Sequence, residues 1–424
     1  MGDVLLGRPT SAATLGAVRG RIRPFVVIVA LMVAGLPLAL GGCYSSRGFI
    51  PADSGPGVSP PTDITEDGGS DDPPRTSPPS TPPPPTRPLP PSTQLDLLFL
   101  IDNSNSMTEE QESLSEQLPR LIQVLASGDA DGDGVQDFPT VESLHVGVVT
   151  TDMGTGGFPV PTCNEPNRGD DGELRSIGNS GLPVCPRSFP APFLSYRPAG
   201  PLSPAEFAAN VSCISVVGTG GCGFEQPLEA VLKALTFSTT GPTGAFDGDF
   251  LWGTTGHADG ANGGFSRPTA DLAIVMLTDE EDCSVLDPEL FNVRSPVYRE
   301  DLNLRCFAHP ETLHPVSRYV DGLLAGRDPR RVHFQLIAGV PTDAVGGTYA
   351  EILAHPAMHQ VVDPVMEGRL QPSCNVPGRG LAFAPTRLVE VARGLDREGA
   401  AVSIQSICQA DLTPAIDAFI AMIR

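Results

Sequence analysis

Three oxygen-bearing side chains at alternate positions, Asp102, Ser104 and Ser106, stand in "DNSNS", directly after the apolar run "LDLLFLI". A carboxylate and two hydroxyls so spaced suit a hard cation such as Mg2+ or Mn2+, which takes oxygen ligands and keeps several waters. A second apolar run, "AIVMLTDEEDCS", ends in Asp279. If the two runs are adjacent parallel strands, Asp279 faces Asp102. Two carboxylates meeting there without a cation would resist both burial and each other. With a cation held mainly by hydroxyls, the metal stays electrophilic enough to accept a partner's carboxylate. Taken alone, the triplet equally suits capping of the helix that follows.

Other spacings carry less. "DADGDGVQD" puts Asp129, Asp131, Asp133, Gly134 and Asp137 at positions 1, 3, 5, 6 and 9 of a calcium loop, with Thr140 where the twelfth-position Glu belongs. Ca2+ binding and a solvated acidic loop are both open readings of it. "HPAMH" spaces His355 and His359 one helical turn apart but lacks the glutamate of a zinc protease. The chain has neither a Gly-x-Ser-x-Gly elbow nor a phosphate-binding Gly-x-x-x-x-Gly-Lys-Ser/Thr loop, so acyl and phosphoryl transfer lack their parts. The expectation is a binding protein, not an enzyme.

The elements that must position these residues alternate. Strands are expected at Leu95 to Ile101, Leu144 to Thr150, Leu272 to Thr278, Val332 to Val340 and Val402 to Ile407, several of them apolar throughout, as strands buried on both faces are. Helical stripes lie between: Leu114, Leu118, Leu121, Ile122 and Leu125, with Thr108 and Gln111 as a capping box; Leu228 to Leu235; Leu313 to Leu323; Leu388 to Leu395; and Ile416 to Ile423. The fold class is therefore α/β, a doubly wound and mostly parallel central sheet with helices on both faces, its ligand site at the carboxyl ends of the strands. A Pro- and Gly-rich stretch at about 155–213 reads as a disulfide-stapled insertion, and 283–310 as a second one.

Before residue 94 nothing of this kind occurs. Arg19, Arg21 and Arg23 precede the apolar run Phe25 to Leu40, as in an export signal over 1–42. Residues 43–93 are mostly Pro, Ser, Thr, Asp and Gly, too poor in aliphatic side chains to offset ordering entropy, and read as a disordered tether. The formal charge is −23 and Lys233 is the one lysine, which argues against nucleic acid as a partner. Setting Cys43 aside, eight of the nine cysteines remain. In an exported chain they read as four disulfides, and nearest-neighbour pairing is expected: Cys163–Cys185, Cys213–Cys222, Cys283–Cys306 and Cys374–Cys408.

"LGGC" at 40–43 resembles a bacterial lipobox, which implies cleavage before Cys43 and its lipidation; Tyr44, rather than Asp, implies outer-membrane sorting in the cell envelope. That anchor is the only membrane contact expected. Residues 94–424 resemble the von Willebrand factor type A family on Asp102-x-Ser104-x-Ser106 after the first strand and Asp279 in "LTDEED". The resemblance implies a metal ion-dependent adhesion site, a Rossmann-like sheet and a protein ligand presenting a carboxylate. It also requires a Thr in a loop before a helix, for which Thr219 in "VVGTGGCGFEQPLEAVLKAL" is the candidate. The alternative is a structural subunit of an envelope assembly whose metal, if bound, only stabilises it.

Overall fold

β1 (Gln94–Ile101) is buried on both sides, and its side chains sort by parity. Leu95, Leu97, Phe99 and Ile101 enter one apolar layer, Leu98 and Leu100 the other, as the two-residue period of a strand requires. The structure is a computed structural model that describes residues 92–179, 181, 185–238, 254–377 and 380–423. The signal, Cys43 and nearly all of the tether lie outside the described residues.

In chain order the elements are β1; α1 (Thr108–Ser127); β2 (Ser143–Thr150); β3 (Leu194–Tyr196); α2 (Pro204–Ser215); α3 (Pro227–Leu235); β4 (Asp271–Leu277); the one-turn α4 (Arg305–Ala308); α5 (Val316–Leu324); β5 (Val332–Ala338); α6 (Tyr349–Ala354); β6 (Cys374–Val376); β7 (Gly380–Ala382); α7 (Thr386–Arg397); β8 (Ala401–Ser406); and α8 (Thr413–Ile423). The main sheet runs β3-β2-β1-β4-β5-β8, parallel except for antiparallel β3 at one edge, while β6 and β7 form a separate hairpin. α1, α2 and α8 cover one face; α3, α5 and α7 cover the other. Each leucine or isoleucine fully buried in these layers contributes roughly 2 kcal/mol. The doubly wound sheet expected from the apolar runs is thus present. Among the described residues no helix is long and apolar enough to cross a membrane.

A third, smaller core sits apart from both layers. Val160, Phe224, Leu290, Phe291, Tyr298 and Leu313 pack with the disulfides Cys163–Cys222 and Cys283–Cys306. It joins the 158–163 segment, the loop before α3 and the loop after β4 into one unit, so these long connections carry a core of their own.

Several expectations are corrected. Cys163 pairs with Cys222 and Cys185 with Cys213, whereas Cys283–Cys306 and Cys374–Cys408 are as expected. Cys163 and Cys222 are brought together by a core that Cys185 and Cys213 do not share. Cys213 lies in the last turn of α2, where its backbone O accepts from Asn179 N–H at 2.9 Å. Cys222 lies in the small third core with Cys163. The insertion is also shorter than 155–213, because α2 contributes Phe207, Val211 and Ile214 to a main layer. The capping box expected at α1 is found instead at α2 and at α6: Ser203 accepts from Glu206 N–H and the Glu206 carboxylate returns to Ser203 N–H, as Thr348 and Glu351 do at α6. α1 has Met107 at its N-cap with no side-chain cap, and ends on Gly128 at φ +72°, the left-handed position that suits glycine. His355 and His359 flank a 3-10 turn after α6, and His355 Nδ1 accepts from Ala357 N–H, so their spacing is not helical.

Candidate functional site

Register fixes what meets at the sheet's switch point. Ile101 at the end of β1 stands opposite Thr150 of β2 on one side and Leu277 of β4 on the other. The first residue beyond each strand is therefore Thr151, Asp102 or Thr278, side by side. Asp102 Oδ2 accepts from Thr278 Oγ1 at 2.6 Å, while Oδ1 accepts from Ser104 N–H at 2.8 Å and Thr151 Oγ1 at 3.3 Å. Asp102 is fully buried. Burial raises its carboxyl above the usual range, opposed by the hydrogen bonds from Thr278, Ser104 and Thr151.

The serines and Asp279 close on the same point. Ser104 Oγ and Ser106 Oγ are 3.2 Å apart, and the Ser106 hydroxyl lies near enough to the Asp279 carboxylate to favour its charged form. Ser106 is exposed while Ser104 is buried, so the group opens to solvent on one side. Asp279 is 4 % exposed, and its Oδ1 has no hydrogen-bond donor. Burial first, and the Asp102 charge second, push the Asp279 carboxyl up to about 8 against the nearby Ser106 hydroxyl; the charge of Glu110 on α1 adds to the rise. Four of the five expected residues, Asp102, Ser104, Ser106 and Asp279, are thus brought together.

Thr219 is placed beside them but not among them by any bond. Gln111 clamps its loop, donating from Nε2 to Gly218 O at 2.9 Å and to Asp102 O at 2.8 Å, and accepting from Gly218 N–H at 3.0 Å. Gly221 N–H donates to Asn103 O at 2.9 Å. Thr219 lies between these two clamps, half-buried, and its hydroxyl has no hydrogen-bond partner among the described residues. Gln111 therefore serves as a bridge between loops and not as the capping residue its spacing predicts.

Sequence reasoning missed Thr151, Thr278 and Glu225. The threonines were visible as the residues following two strands, but their role depends on which strands are neighbours. Glu225, 6 % exposed at the end of the Thr219 loop, is pushed well above the usual carboxylate range by burial, then by Asp102, Glu280 and Asp279. The insertion reaches the site as well: Asp170 Oδ2 accepts from Thr150 Oγ1 at 2.6 Å and from Asn103 Nδ2 at 3.4 Å.

The donor set tests well against a hard cation. It consists of hydroxyls and carboxylates only, and it leaves a buried carboxylate oxygen, Asp279 Oδ1, without a donor. With its oxygens already engaged by three donors, Asp102 suits contact through water, whereas the serines are free to ligate directly.

The acidic loop after α1 is a separate cluster. Carboxylate oxygens of Asp129, Asp131 and Asp137 lie within 4.8 Å of one another. Asp129 accepts from Gly132 N–H at 2.7 Å and Gly134 N–H at 2.9 Å, and Asp137 from Ala130 N–H at 2.9 Å. Asp133, expected at the fifth position, turns instead to Val135 N–H at 2.7 Å and is outside the trio. Asp152 also approaches Cys163 and Cys222, but their sulfurs are joined to each other, which removes the thiolates a metal would need.

No protein-family model matches the chain, and no curated protein matches it.

Proposed function

We propose that residues 94–424 form a von Willebrand factor type A module that binds a protein ligand through a divalent cation, Mg2+ or Mn2+. One observation carries this reading: Asp102, Ser104 and Ser106 meet Asp279, from the fourth strand in chain order, at the switch point of a mostly parallel sheet. Ser104 and Ser106 would hold the ion directly, Asp102 and Asp279 mainly through water, and Thr219 would complete the set from its clamped loop. A bound cation there supplies an electrophile for a carboxylate oxygen of the partner. The exposed Ser106 side leaves the approach open. An export signal and lipidated Cys43 would place the module in the bacterial envelope at the outer membrane, on the tether of residues 43–93. The Asp129, Asp131 and Asp137 trio would hold Ca2+ independently.

Thermal unfolding of the detergent-solubilised full chain tests the proposal. Saturating Mg2+ or Mn2+ is expected to raise the midpoint by about 2 to 3 °C. Ser104→Ala should abolish that rise without lowering the metal-free midpoint, and Asp129→Asn should remove only a response to Ca2+. An unchanged midpoint in the parent, or an equal rise in Ser104→Ala, would rule the reading out. A partner from intact envelopes that stays bound in chelator would favour a structural subunit instead.

A further inference from the structure

Glu225 and Glu280 also line a cavity of about 490 Å3. Its walls include Phe224, Phe307, Leu313 and Phe383, and the Cys283–Cys306 disulfide, both of whose cysteines line it, ties one wall to the loop after β4. The other charges at the cavity are matched. Glu281 accepts from Thr386 Oγ1 at 2.5 Å, Gln360 Nε2 at 3.0 Å and Arg387 N–H at 3.0 Å. Asp282 pairs with Arg387 at 3.1 Å, and Arg369 with Asp363 at 3.1 Å. Both arginines are thereby committed.

Glu225 and Glu280 are left over. Neither carboxylate has a hydrogen bond or ion pair with any other described residue, and Glu225 is 6 % exposed. A carboxylate so placed, Glu225 buried and Glu280 half-buried, either keeps a proton or gives it up to face a cation. A bare Ca2+ needs six to eight oxygens around it. This cavity has far more room than an ion fills, and Phe224, Phe307, Phe383, Leu313 and Leu370 give it apolar wall beside its charged and polar residues. Rings around two acids suit a charged head on an apolar stem.

We propose that this cavity binds an organic cation, a protonated primary amine or a guanidinium on an apolar stem, with Glu225 and Glu280 as its counter-charges. The site uses side chains other than the proposed metal ligands and does not rest on that reading.

Calorimetric titration of the full chain at pH 7 with phenethylamine, and with phenethyl alcohol as its uncharged counterpart, tests it in chelator and again in Mg2+. The amine should bind at least about tenfold more tightly than the alcohol. Glu225→Gln and Glu280→Gln should each weaken the amine by about tenfold and leave the alcohol unchanged. Ser104→Ala should alter neither, so failure of the metal reading and failure of this one are separately visible. Equal binding of amine and alcohol, absence of amine binding, or indifference to both glutamine variants would overturn the proposal. So would Ca2+ binding that survives Asp129→Asn and disappears in Glu225→Gln.

Discussion

Asp102 accepts three hydrogen bonds from the protein alone, and each donor belongs to a different stretch: Ser104 on its own loop, Thr151 beyond β2 and Thr278 beyond β4. Its carboxylate is a keystone for the loop, and the loop is what aims the serines. Asn103 is the neighbouring point of tolerance. A methyl group on Gly221 would stand 2.2 Å from Asn103 Oδ1, and Asn103 is itself buried. Gly221→Ala must therefore push Asn103 aside, at a cost of about 1 to 3 kcal/mol, and with it the backbone that carries Ser104. The expected outcome is a lost Mn2+ response in thermal unfolding, restored when Asn103→Ala is added. A response unchanged in the single variant would show that the close approach has no bearing on the site.

At the scale of elements, the sheet was legible because both of its faces are covered. Leu95 to Ile101 and Leu272 to Thr278 could be recognised as buried strands without knowing their neighbours, and Asp102 and Asp279 followed as strand-end residues. What could not be read was anything set by a contact across the fold. Gln111 has the spacing of a capping residue, but Gly218 and Asp102 O outcompete the helix end for its amide. β3 is three residues long and is held by β2, with no pattern of its own. Nearest-neighbour cysteine pairing failed for the same reason, since Cys222 shares the small third core with Cys163 while Cys213 sits on α2, outside that core. Peptide mapping of the non-reduced chain should recover Cys163 joined to Cys222 and Cys185 joined to Cys213. Recovery of Cys163 with Cys185 would contradict the placement of α2.

On the scale of the whole molecule, the insertion is tied to the sheet layers by charge. Asp171, a non-glycine residue at φ +56°, is contacted by Lys233 of α3, His257 and Arg168. Burial alone would raise the Asp171 carboxyl, but hydrogen bonds and charge from His257 and Lys233 hold it at about 2. That lies below the value of about 3.9 expected for an unfolded Asp. The stabilisation, about 2 kcal/mol, is thus fully present above pH 4 and is lost as pH falls through about 2. Asn tolerates the left-handed backbone, so Asp171→Asn isolates the charge. Denaturant unfolding should find the variant about 2 kcal/mol weaker at pH 7, with the gap closing between pH 4 and pH 2. A gap independent of pH would show that the carboxylate's charge is not what ties the insertion down.

The hydrogen bond from Thr278 to Asp102 joins residues 176 positions apart. At roughly 5 to 20 residues per second, a ribosome takes many seconds to travel between them. Throughout that interval β1 can pair with β2, yet the keystone of its loop has no Thr278 to hold it. A newborn chain could thus pair β1, β2 and β3 while the Asp102 loop lacks its third donor, which arrives only as β4 slots into place. Delay of this kind leaves the Asp102 loop short of one of its three donors until Thr278 has emerged.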